Sequence, residues 1–153
     1  MRPHDASAPP LVVTPGQLPE SSCLSRDTKT LFVGARRSSS LVAVDARTMK
    51  VQRSRRMGGD PLRVYAVDED RLLVTDIVVN TFTLYSTALR PIRMLQLDSI
   101  PAAASFHPSR AAGLVSQLAT NSVAVVDMER FALVGGFDTG LEPDSSILLP
   151  TAQ

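Results

Sequence analysis

The sequence repeats itself every 41 residues, and this step restricts the folds open to it more than any other feature. Val33, Val74 and Val115 stand 41 apart. So do Leu24, Tyr65 and Phe106; Leu41, Phe82 and Val123; Val44, Tyr85 and Val126; and Val51, Ile92 and Leu133. Turn positions keep the same step, with Ser39, Asn80 and Asn121 in one column and Asp27, Asp68 and Ser109 in another. The proline punctuation between units, Pro61, Pro101 and Pro143, slips from the step by one residue. A single column repeats by chance. Apolar and turn columns repeating together mark one structural unit copied in tandem.

Each unit divides in the same way, most clearly in the second copy. Leu62 to Val67 reads as a first strand, Asp68 to Asp70 as a tight turn and Arg71 to Thr75 as a second strand. Ile77 to Asn80 is a loop, Thr81 to Ser86 a third strand of alternating character, Thr87 to Arg90 a turn and Pro91 to Leu97 a fourth strand. β-branched and aromatic residues fill the strands, while Asp, Asn, Gly and Pro fill the joints. No stretch sustains the i, i+3, i+4 spacing of an amphipathic helix. Four short strands every 41 residues form the blade of a β-propeller. The expected fold is therefore all-β: four-stranded antiparallel blades in an incomplete ring of about three. A β-sandwich is the alternative, disfavoured because sandwiches do not repeat every fourth strand.

Certain motifs resemble those of the YVTN family of propellers. Phe106-His107-Pro108-Ser109 stands at the first turn, and Leu31-Phe32-Val33-Gly34 and Leu72-Leu73-Val74-Thr75 at the second strand. Asn121-Ser122-Val123-Ala124-Val125-Val126-Asp127 and Ser40-Leu41-Val42-Ala43-Val44-Asp45 match the third strand, and Gly58-Gly59-Asp60-Pro61 matches a joint. The resemblance runs from about Pro19 to Pro143. It implies a blade and not an activity. The middle copy departs from it, with Ser86 where the pattern ends in Asp. The chain is WD40-like only in the broad sense, since it holds no Trp.

Three blades are expected at 19–60, 61–100 and 101–142. Residues 1–18 form an N-terminal segment in which Leu11 to Val13 falls where the outer strand of a preceding blade would lie. Residues 143–153, through Ser145 to Leu149, read as the first strand of a following blade. Propellers close with about four to eight blades, so an arc of three needs more blades in a longer polypeptide, a second copy pairing into a six-bladed ring, or else it is a poorly folding remnant. The first two are favoured.

Composition excludes several classes. Net charge is +1, which makes no general case for nucleic acid or a membrane as partner. Apolar runs such as Leu72 to Val74 and Ile77 to Val79 are far too short to span a bilayer. The first ten residues contain no apolar stretch of signal-peptide length. The expected location is cytoplasmic by default, and extracytoplasmic if a leader has been removed. Cys23 is the single cysteine, which rules out an internal disulfide framework.

No reaction is specified. His4, His107 and Cys23 are too dispersed for a metal site, and His107 fits a turn residue before Pro108. There is no nucleophile elbow. Gly58-Gly59 lacks the Lys-Ser/Thr of a phosphate loop and reads as a joint. No cofactor, metal or catalytic residue is expected. Charge is distributed unevenly, with Arg26 to Arg63 strongly basic and the stretch from Asp98 onward acidic. Such ends could steer copies together, or Arg36 and Arg37 could bind an anion. In a propeller the loops after second and fourth strands share one face, which would gather Arg36, Arg37, Gly59, Asp60, Asp76, Asn80, Gln117 and Asn121. From these, Arg36, Arg37, Asp60, Asp76, Asn80 and Asn121 are the candidate ligand residues, although a solvated charged rim is the favoured explanation, since charge runs usually are just that. The functional expectation is a scaffold that presents this face to a protein partner or small polar ligand. The alternative is part of a propeller enzyme of lactonase or oxidoreductase-accessory kind, which rests on fold analogy.

Overall fold

The computed structural model describes residues 10–107 and 111–146. Twelve strands form three four-stranded antiparallel sheets, each in simple sequence order. Blade 1 comprises β1 (Pro19–Leu24), β2 (Thr30–Ala35), β3 (Ser40–Asp45) and β4 (Val51–Arg56). Blade 2 comprises β5 (Pro61–Ala66), β6 (Arg71–Asp76), β7 (Thr81–Ser86) and β8 (Pro91–Gln96). Blade 3 comprises β9 (Pro101–Phe106), β10 (Ala112–Gln117), β11 (Ser122–Asp127) and β12 (Ala132–Asp138). Three separate sheets stacked side by side are propeller blades and not the two facing layers of a sandwich.

The repeat extends to irregularities. Each blade shifts register between its third and fourth strands at the same column, at Ala43/Val44, Leu84/Tyr85 and Val125/Val126. Four strands open on a proline, Pro19, Pro61, Pro91 and Pro101, because a residue with no N–H is tolerated at the first position of a strand. Val67 and Leu97, expected as strand ends, lie just outside. Their N–H groups bond to the carbonyl of Arg71, at the start of β6, and to that of Asn80, in the turn before β7.

The first strands lie innermost, β1 against β5 and β5 against β9. The outer strands β4, β8 and β12 are largely exposed. Central strands are buried on both faces, so they read as continuous apolar runs. Leu72 and Val74 pack with Phe32, Leu41 and Ala43 between blades 1 and 2, while Leu73 packs with Phe82, Val115 and Val126 between blades 2 and 3. In the second interface the Phe82 ring stacks between Phe106 and Phe131, with centroids 6.5 and 5.9 Å away.

Leu11 to Val13 does not form the expected outer strand; residues 11–15 have no regular structure. An outer strand pairs with the third strand of its own blade, and the described residues before Pro19 include no strand for it to pair with. Val13 instead packs on the far face of blade 1 with Val33, Val42 and Val44. Ser145 and Ser146 also lie outside any strand, and Ile147 to Leu149 fall outside the described residues. The Ser146 hydroxyl sits 2.8 Å from that of Ser105 in β9. The neighbouring inner strands are tied by similar bonds, the Val64 N–H to Ser21 Oγ and the Ala104 N–H to the Tyr65 hydroxyl.

Candidate functional site

Antiparallel order brings the loops at 36–39, 57–60, 77–80, 97–100 and 118–121 to one end of the blades. Backbone bonds knit them into a belt. Met57 N–H donates to Ser39, Ile77 to Asp60, Leu97 to Asn80, Leu118 to Ile100 and Thr139 to Asn121. Ser39, Asn80 and Asn121, one repeat column, have φ of 46°, 51° and 51°. Asparagine tolerates this left-handed conformation better than most side chains, which explains why two of the three copies carry it.

The structure brings Arg36, Asp60 and Asp76 together in one polar network between blades 1 and 2. Arg36 Nε lies 3.0 and 3.1 Å from the two Asp60 carboxylate oxygens, and Arg36 NH2 lies 2.9 Å from Oδ2. Arg36 NH1 donates to Glu20 at 2.6 Å. Arg63 NH1 reaches the other Glu20 oxygen at 3.4 Å. The Asp60 carboxylate, then Glu20, push the Arg36 pKa further up, so the guanidinium is permanently charged. All three of its nitrogens thereby donate to the protein's own carboxylates.

Asp76 is 3% exposed. Its Oδ1 accepts the N–H groups of Asp60 at 2.8 Å, Val78 at 3.1 Å and Val79 at 3.3 Å. These bonds offset the cost of burying a carboxylate. Gly59 makes room for it, since a Cβ there would fall 2.2 Å from Asp76 Oδ1. One step on, Gln117 Oε1 accepts the Ser99 N–H, and Ser99 Oγ accepts the Ala119 N–H. The same joint is tied in each case by a buried polar residue ending the second strand.

The other predicted residues stand apart from this network. Arg37 is exposed, with no hydrogen bond or ion pair among the described residues. Asn80 Oδ1 is buried without a partner. Asn121 Oδ1 accepts the Glu142 N–H at 2.9 Å. Sequence reasoning missed Glu20 and Arg63, which lie in no repeat column, and it missed the tips of the 77–80 loop. Val78 and Val79 are 67% and 41% exposed there, though held by Asp76. Among the described residues no three His, Cys, Asp or Glu side chains gather as metal ligands, and no helix is long and apolar enough to cross a membrane.

Together these features define the class, a β-propeller with three blades in this chain. The solved structures it is similar to belong to that class. Hydrazine synthase from Kuenenia stuttgartiensis aligns over 86% of this chain and 38% of its own, at 22% identity and TM-score 0.75. The WD40 repeats of RRP9 align over 82% and 40%, at 10% identity and TM-score 0.71. BamB from Moraxella catarrhalis aligns over 80% and 37%, at 16% identity and TM-score 0.64. The chain therefore spans about two fifths of the length of these proteins. No protein-family model matches it, and no curated protein matches it in sequence.

Proposed function

We propose that the chain is a propeller binding module whose loop face docks a protein partner, with Val78, Val79 and Arg37 as the contacts. The observation that carries this is the pairing of exposure with rigidity at the 77–80 loop. Two valines project into solvent from a turn whose backbone is fixed by Asp76. Apolar groups displayed on a preordered loop lose little entropy on binding. Arg37 adds a charge on the same face, and arginine is enriched in interfaces. In this reading Arg36, Asp60 and Asp76 form the platform under the contacts, because they are already engaged with one another and with Glu20. Asn80 and Asn121 shape the loops through left-handed backbone. A small polar ligand is less well served, since one accessible guanidinium offers it no enclosing set of groups.

The third strands, with Asn121 to Asp127 as the fullest copy, support a YVTN-like origin for the blades. The arc leaves terminal blade faces for further blades or a second copy, and ring completion forms part of the same proposal. The test is quantitative affinity capture with the parent chain and with Val78→Asp/Val79→Asp, after matching their melting temperatures. Proteins retained by the parent and lost by the variant would support a loop-face partner. Equal retention by both would remove the loop face from consideration.

A further inference from the structure

The outer rim between blades 1 and 2 departs from the repeat. In β4, Arg53 and Arg55 pair with Ala43 and Leu41, which face blade 2. Cross-strand partners share a side of the sheet, so both arginines lie on the side of blade 2. At the next junction the corresponding residues of β8 are Arg93 and Leu95, paired with Leu84 and Phe82. Leu95 packs against the core there, and Arg93 NH1 donates to the Arg130 carbonyl at 2.8 Å, tying the rim to blade 3. Neither contact is made at the first junction. Arg55 stands in place of the leucine, near enough for its charge to act on the Tyr85 phenol. Arg53 makes no bond to the facing turn.

A groove of about 710 Å³ is left, lined by Arg53, Ser54, Arg55 and Arg56 from one blade and by Ala88, Leu89 and Arg90 from the other. Among the described residues none of these four arginines has an ion-pair partner, a state they share with Arg26, Arg37, Arg47 and Arg93, whereas Arg36, Arg63, Arg71 and Arg130 are paired. Charge on an edge strand deters aggregation by itself. That accounts for arginines on β4, but not for two of them turned toward Arg90 across a groove of ligand size, roughly 300–1,000 Å³.

We propose that this groove binds an extended acidic segment of a partner protein, with carboxylates on alternate residues. Alternate side chains of a strand are about 6.8 Å apart. That spacing separates Arg53 from Arg55, and it equally separates carboxylates two residues apart in an extended ligand. Each guanidinium fork takes one carboxylate bidentately, Arg90 closes the far side, and the exposed Ala88 receives aliphatic stems, with Leu89 buried beneath it. A lone phosphate would engage few of these groups. The groove lies on the outer rim and is separate from the loop face.

The experiment is fluorescence anisotropy with a labelled peptide of alternating Glu and Thr, beside a peptide of the same composition with its glutamates in one block, and with inorganic pyrophosphate as competitor. The parent chain is expected to bind the alternating peptide, more weakly as salt rises. Arg53→Ala/Arg55→Ala should weaken binding about tenfold or more, and Arg53→Lys/Arg55→Lys, which keeps charge but loses the fork, by an intermediate factor. Arg93→Ala, at the tied junction, should bind as the parent does. All variants should match the parent in circular dichroism. Failure of the parent to bind, or unchanged binding by the alanine variant, would overturn the proposal. So would equal affinity for the block peptide, or displacement by pyrophosphate at concentrations equal to the peptide's, since either would reduce the groove to an unselective basic surface.

Discussion

At Asp76 three backbone N–H groups converge on one buried oxygen, and Gly59 leaves the space in which they meet. Asp76→Ala strands those donors. It is expected to cost about 2–4 kcal/mol, since each buried donor left without a partner costs roughly 1–3 and some will find water. Gly59→Ala forces the same carboxylate out and should cost a similar amount. Because both changes break one arrangement, the double variant should be far less destabilised than the sum, which urea unfolding of the four proteins would show. Additive losses would mean the two residues act independently. Cys23 offers a second residue-level expectation. Burial raises its thiol from 9.0 to about 11, against a smaller lowering by the Ala66 backbone. The folded protein should therefore react with a thiol reagent at pH 8 far more slowly than the same chain in denaturant, because thiolate is the reacting form. A raised folded pKa stabilises the fold below pH 9 and loses that contribution as pH climbs through about 11.

Among the elements, the turns between third and fourth strands differ by copy. Asp45 Oδ1 accepts the Arg47 and Thr48 N–H groups, and Asp127 Oδ1 accepts those of Glu129 and Arg130. Blade 2 has Ser86 there, whose Oγ takes the Arg90 N–H. Both aspartates are held below their usual 3.8, Asp45 chiefly by the Thr48 N–H and Asp127 chiefly by the Arg130 N–H. A lowered folded pKa contributes stability that is whole above 3.8 and fades as pH falls through the folded value. Acid titration followed by amide NMR should loosen the turns of blades 1 and 3 first. The Ser86 turn should keep its shifts through the same window. A uniform response of all three turns would contradict the assignment.

For the whole molecule, the decisive packing lies between blades. Val74 is fully buried where blade 2 meets blade 1. Val74→Asp should cost several kcal/mol, as an unpaired buried charge does, and should unfold the middle blade together with both interfaces. A melting temperature within a degree or so of the parent's would mean that this strand does not occupy the interior. The far face of blade 1 is covered in part by Val13, a small patch compared with the blade that adjoins it in a closed ring. Light scattering after size exclusion reads the consequence. Formation of a dimer would support closure by a second copy.

Much of the fold was legible because each blade meets nearly the same surroundings as its neighbours. Equal surroundings demand equal residues, so the step from Val33 to Val74 to Val115 displayed the central strands, and Ser39, Asn80 and Asn121 displayed a turn column whose left-handed backbone only the structure shows. The limits of β7 were read directly from Thr81 to Ser86. The 41-residue period by itself determined strand order, turn positions and the common face of the loops. The tertiary structure alone decided which of those loop residues had donors left to offer. Arg36 is satisfied by Glu20 and Asp60, 16 and 24 residues away, and Arg53 is left open where Arg93 is tied. A repeat records what every blade must satisfy for itself. Charge pairing across a junction depends on the distance and rotation between two blades, which packing sets and no single column carries.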